Sequence, residues 1–182
     1  MAINKENDRL LKILSTIESG VAKIYKRFST KKNFSKPVQK FWQSISKEEE
    51  IHAEYFDKIR KGMNTDNIPV IINIDIERLK EFVNKVNRSV KEVMTEEYSE
   101  SEAYSLGASI EVEMDESKFL EGIEITDQKR VCAIGIVVPA FVRRDRESPL
   151  YHLRSIGPSA HGARVGATTL RWTPPTAIGS VA

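Results

Sequence analysis

Read at helical period, the chain divides into four amphipathic tracts, each interrupted differently. Leu11, Leu14, Val21, Tyr25 and Phe28 predict a first helix that begins near Asn4 or Asn7 and runs to about Ser29. Glu18 stands in that stripe where a leucine is expected. Ile17 is the alternative inward residue, which would leave Glu18 in water. Ser29 to Lys36 reads as a basic turn, and Pro37 suits the first turn of a second helix. That helix is expected to end near Lys61, with Gly62 as its stop. A connection this short predicts an antiparallel hairpin of the first two helices.

The second helix carries Val38, Phe41/Trp42, Ile45, Phe56 and Ile59 on one stripe, and Glu49 and His52 lie on it too. A carboxylate and an imidazole facing a core are costly unless something pairs with them. At i, i+3 spacing both point to one side of the helix and can share an ion. The bland alternative is a rotated stripe, with Glu49 solvated and His52 hydrogen-bonded. In the hairpin, Glu18 falls level with Glu49 and His52 to within about one turn. Ile68 to Ile74 is a β-branched crossover containing Pro69. It could pair as a short strand, and packing across the end of the hairpin is the favoured reading. Ile76 to Glu96 is a packing helix (Ile76, Leu79, Phe82/Val83, Val86, Val90, Val93/Met94) without a ligand-type residue on its stripe. A last helix is expected from Ser99 to about Ile123, capped by Ser99 or Ser101. Its stripe, Ala103, Leu106, Ile110, Ser117 and Leu120, makes Glu113 the inward carboxylate, with Glu111 on the neighbouring face. The run Glu111, Glu113, Asp115, Glu116 also reads as a plain solvated acidic face.

Composition narrows the function classes. A length of 182 residues and a net charge of +2 fit one helical domain plus a tail, without a nucleic-acid footprint. The single cysteine, Cys132, excludes an intramolecular disulfide and a four-cysteine metal ribbon, and points to a cytoplasmic setting. The polar start, Met1 to Arg9, does not read as a signal peptide. Val131 to Val142, broken by Gly135 and Pro139, is too short for a membrane span. From Arg130 onward there is no Lys but seven Arg, and five of the seven Pro. The chain therefore divides into a helical domain at 1–128 and a compositionally distinct, largely irregular tail at 129–182. The tail is either foreign to the bundle (a frameshift, fusion or assembly artefact that replaced a fourth helix) or an extension of biased composition. Arg143-Arg144-Asp145-Arg146 lacks interleaved aromatics and reads as a solvated loop rather than a nucleic-acid contact.

Over about residues 8 to 127 the chain resembles the rubrerythrin-like branch of the ferritin-like superfamily. The resemblance lies in Leu14 to Phe28 around Glu18, in Phe41-Trp42 through Glu49-Glu50-Ile51-His52-Ala53, and in Leu106-Gly107-Ala108-Ser109-Ile110-Glu111 followed by Glu116-Ser117-Lys118-Phe119. It implies an all-α, ferritin-like antiparallel helical bundle that binds two irons, with Glu18, Glu49, His52 and Glu111 as ligands. Periodicity keeps Glu113 as the alternative to Glu111. The implied activity is Fe(II) oxidation or peroxide reduction, because oxygen ligands stabilise Fe(III) and open positions admit oxygen or peroxide. Two departures stand against a complete centre. No paired cysteines provide an internal electron relay, so an external electron donor is implied. The second E-x-x-H is missing, since His152 and His161 are preceded three residues earlier by Pro149 and Pro158. A homodimer would restore the ligand count across a two-fold axis. The competing expectation is a non-catalytic bundle with an incomplete metal site, acting as an interaction or metal-binding module.

Overall fold

The computed structural model describes residues 5–65, 70–116 and 123–125. Four helices, α1 (Lys5–Ser29), α2 (Lys36–Thr65), α3 (Ile76–Thr95) and α4 (Glu100–Glu116), make up nearly all of it. Two three-residue strands, β1 (Val70–Ile72) and β2 (Ile123–Ile125), pair antiparallel with Val70 opposite Ile125. The chain is all-α in class, as its periodicity predicts, with that short ribbon added. The proposed tail at 129–182, with Cys132, His152 and His161, lies outside the described residues. Among the described residues no helix is long and apolar enough to cross a membrane.

The helix α1 occupies the centre because its sequence is apolar on two faces. Leu11, Leu14, Val21, Tyr25 and Phe28 are buried, and so are Leu10, Ile17, Gly20 and Ile24. Ile17 and Glu18 are therefore both inward, and neither displaces the other. Asp8 meets Arg60 at 3.9 Å and the Ser46 hydroxyl donates to the Ala22 carbonyl at 2.9 Å, so α1 and α2 run in opposite directions. The helix α3 lies along the other face of α1 through Leu79, Phe82, Val86 and Val93. Gly20 makes room for it: a Cβ there would sit 2.6 Å from Val86 Cγ1. At the far end Arg27 Nε donates to the Val93 carbonyl and Lys31 Nζ to the Glu96 carbonyl. Lys31 is itself buried, and its charge meets the Glu96 carbonyl at the α3 C-terminus and the Glu97 carboxylate at 3.7 Å. These contacts advance together along both helices, which makes α1 and α3 parallel.

Local chemistry explains most boundaries. Asp75 caps α3 by accepting from the Glu77 and Arg78 amides. Ser99 and Glu102 form a reciprocal capping box at the start of α4, so Ser99 rather than Ser101 is the cap. Three expectations need correction. Gly62 does not stop α2, which continues to Thr65. Val70–Ile72 does form a strand, held against α1 by Asn7, whose amide donates to the Val70 carbonyl at 2.7 Å. The last helix does not reach Ile123, because Ile123–Ile125 is the partner strand and leaves the helical path.

Candidate metal centre

Three of the sequence-predicted ligands come together. Glu18 of α1 and Glu49 and His52 of α2 each bring a ligand atom into a set that lies within 4.8 Å of one another. Their placement follows from the antiparallel hairpin: each occupies an inward position on its helix, about halfway along. Glu18 is 1% exposed and Glu49 2%, while the His52 side chain remains 19% exposed at the edge of the cluster. Such burial is expensive for carboxylates, whose hydration is lost and whose like charges repel.

His52 Nδ1 lies 2.9 Å from Glu49 Oε2. A carboxylate only accepts, so with Glu49 ionised the imidazole proton sits on Nδ1 and Nε2 keeps its lone pair. An ion could therefore bind Nε2 directly, or take Nδ1 by displacing that proton. Glu48, the preceding residue, is half-buried at the same edge. Its carboxyl is pushed above the usual range by burial and by the charge of Glu49, with His52 opposing.

The fourth helix contributes Glu111. It is 6% exposed and accepts a hydrogen bond from the Tyr25 hydroxyl at 2.8 Å. Tyr25 is fully buried, and its phenol is held well above its ordinary value by burial, by Glu111, and by Glu49 and Glu18. All three carboxylates thus act on one phenol, which stays protonated. Glu113 is placed elsewhere: it is half-buried and pairs with Lys85 of α3. Glu111 and Glu113 differ in surroundings because the inward face of α4 is Ala103, Gly107, Ile110, Glu111 and Met114. Gly107 is the residue a hydropathy stripe overlooks. The Trp42 ring edge occupies the space a Cβ would need, 2.7 Å away at Cη2.

The site is closed above by aromatic rings. Tyr25 and Trp42 are 5.1 Å apart between centroids, and Phe28, Phe41 and Tyr104 each pack within 5.5 Å of Trp42 or one another. Those rings bury that side, and His52 and Glu48 form the partly exposed edge of the cluster. Tyr25 meets Glu111 while Phe28, further along α1, meets Tyr98 just before α4, so α4 runs opposite to α1 and therefore parallel to α2. Compared with known protein families, curated proteins and solved structures, the chain matches none.

Proposed function

We propose that this chain is a rubrerythrin-like di-iron carboxylate protein, in which Glu18, Glu49 and His52 hold iron. The observation that carries the reading is the convergence of those three side chains, from two helices, inside a largely apolar core. Carboxylate oxygens with one imidazole suit a first-row divalent ion, iron among them. Iron held there would cycle between ferrous and ferric forms and pass electrons to oxygen or peroxide. The path of the chain supports the same reading: α2 and α4 run parallel because α3 carries the chain back along the bundle, and ferritin-like bundles have one such long crossover.

The chain's own residues supply the environment. Glu18 and Glu49 offset the cation's charge, His52 gives one neutral nitrogen at the rim, and Tyr25 holds Glu111 nearby. A second copy of the chain supplies the further ligands that a second iron needs, and a separate protein supplies electrons. Sedimentation with and without Fe(II) tests the first of these, with a dimer expected when iron is bound.

A non-catalytic metal-binding module is the second reading, favoured by the missing second E-x-x-H. Oxidation kinetics separate the two. The protein loaded with Fe(II) under argon is mixed with air or with peroxide, and ferric absorbance is followed. The di-iron reading expects faster oxidation than for a Glu49→Ala/His52→Ala variant. Equal rates with iron still bound would leave only the module.

A further inference from the structure

Three oxidisable rings lead from the cluster to the surface. Tyr25 begins the line: its hydroxyl donates to Glu111 at 2.8 Å, and the charges of Glu49 and Glu18 also act on it. Trp42 follows with its ring centroid 5.1 Å away, and Tyr104 follows Trp42 at 5.2 Å. Tyr25 and Trp42 are fully buried, whereas Tyr104 is partly exposed. A second line runs from Trp42 through Phe28 to Tyr98, at 5.2 and 5.4 Å. Phenylalanine is far harder to oxidise than tyrosine or tryptophan, so that line is broken at Phe28. The polar partners differ along the unbroken line. Tyr25 has a carboxylate to take its proton when it loses an electron, so its oxidation leaves no charge on the ring. The Trp42 indole N–H is buried without a hydrogen-bond partner among the described residues. Buried indoles usually find one, and an orphaned donor lowers stability. An oxidised indole with nowhere to send its proton stays a cation and takes an electron back from a neighbour. Trp42 is thus suited to pass charge on rather than keep it, and Tyr104 can release its proton to water.

We propose that Tyr25, Trp42 and Tyr104 form a relay that draws single electrons from the surface to the buried cluster. The proposal rests on the metal reading above. Hydrogen peroxide takes two electrons and two protons in becoming two waters, and a single ferrous ion yields only one electron on becoming ferric. The second electron leaves the Tyr25 phenol as its proton passes to Glu111, and both protons that peroxide consumes come from solvent. Trp42 then gives an electron to Tyr25, and Glu111 returns the proton. Tyr104 in turn reduces Trp42 and loses its own proton to water. The phenoxyl radical left at Tyr104 is reduced by an external one-electron donor such as ascorbate. The buried rings are restored, and the radical stands where a soluble donor reaches it.

The test mixes the full chain, loaded with Fe(II) under argon, with hydrogen peroxide and a nitroso spin trap, and locates the trap adducts by mass spectrometry. Wild type, Trp42→Phe and Phe41→Leu are compared at equal iron content. Wild type is expected to carry the adduct on Tyr104 and not on Tyr98. Trp42→Phe is expected to lose it. Phe41→Leu, which loosens the same packing without removing an oxidisable ring, is expected to keep it. Adducts on Tyr98 as readily as on Tyr104, a Tyr104 adduct that survives Trp42→Phe, or one lost equally in Phe41→Leu overturns the relay alone. A wild type that takes up no Fe(II) overturns the metal reading with it. Tyr104→Phe gives a second readout and changes only a partly exposed ring. Its freeze-quenched tyrosyl signal, followed by electron paramagnetic resonance, is expected to outlast that of wild type when ascorbate is present. Equal lifetimes overturn the proposal.

Discussion

A carboxylate in a leucine position costs a helical bundle stability unless something offsets its lost hydration. Glu18 occupies such a position at 1% exposure, between Leu14 and Val21. Glu18→Leu is therefore expected to raise the thermal midpoint of the metal-free protein by a few degrees, at about 2–4 °C per kcal/mol for a chain of this length. The same variant is expected to abolish any rise on adding Fe(II). A lowered metal-free midpoint would show that Glu18 serves packing rather than a ligand. The tyrosines give a second residue-scale expectation. Tyr104 is pushed up to about 12 by burial and by Glu100, and Tyr25 is raised by burial and the neighbouring carboxylates. A phenol whose folded value lies above its unfolded one favours the folded state below about pH 10 and loses that contribution as pH rises further. Stability should accordingly fall above about pH 10, and the fall should be smaller in Tyr25→Phe. Ultraviolet titration and alkaline unfolding measure both. Glu18, Glu49 and His52 were legible because each interrupts an apolar stripe. Glu111 was legible only through its flanking residues: the stripe alone selects Glu113, since hydropathy does not register Gly107 as a buried position.

Two glycines set how closely the helices approach. A Cβ on Gly107 would stand 2.7 Å from the Trp42 ring, and one on Gly20 would stand 2.6 Å from Val86 Cγ1. Alanine is the better helix former by about 1 kcal/mol, yet overpacking costs about 1–3 kcal/mol. The Trp42 ring is wedged among Tyr25, Phe28, Phe41 and Tyr104 and has nowhere to move. Gly107→Ala is thus expected to destabilise the fold by about 1–2 kcal/mol, read from denaturant midpoints. At Gly20 the obstacle is one valine methyl. There Val86→Ala in the same chain should recover part of the loss, and additive effects would place the clash elsewhere. The extents of α1 and α3 followed from periodicity. Gly62 misled because a glycine can be buried inside a helix. The end of α4 was hidden because strand pairing with Val70–Ile72 is a contact distant in sequence.

At the scale of the whole molecule, helix count and class are written in the hydrophobic pattern, whereas helix direction is not. That α3 runs parallel to α1, and α4 parallel to α2, emerges from contacts such as Arg27 with Val93, Tyr25 with Glu111 and Phe28 with Tyr98. Those directions put Glu111 of α4 beside a cluster built by α1 and α2. The metal reading stands or falls with this cluster. Iron content per chain tests it most directly, on protein loaded with Fe(II) under argon and desalted, beside a Glu49→Ala/His52→Ala variant whose helicity is checked by circular dichroism. About one iron or more per wild-type chain is expected, and none in the folded variant. Iron-free wild type, or a variant that keeps its iron, would contradict it.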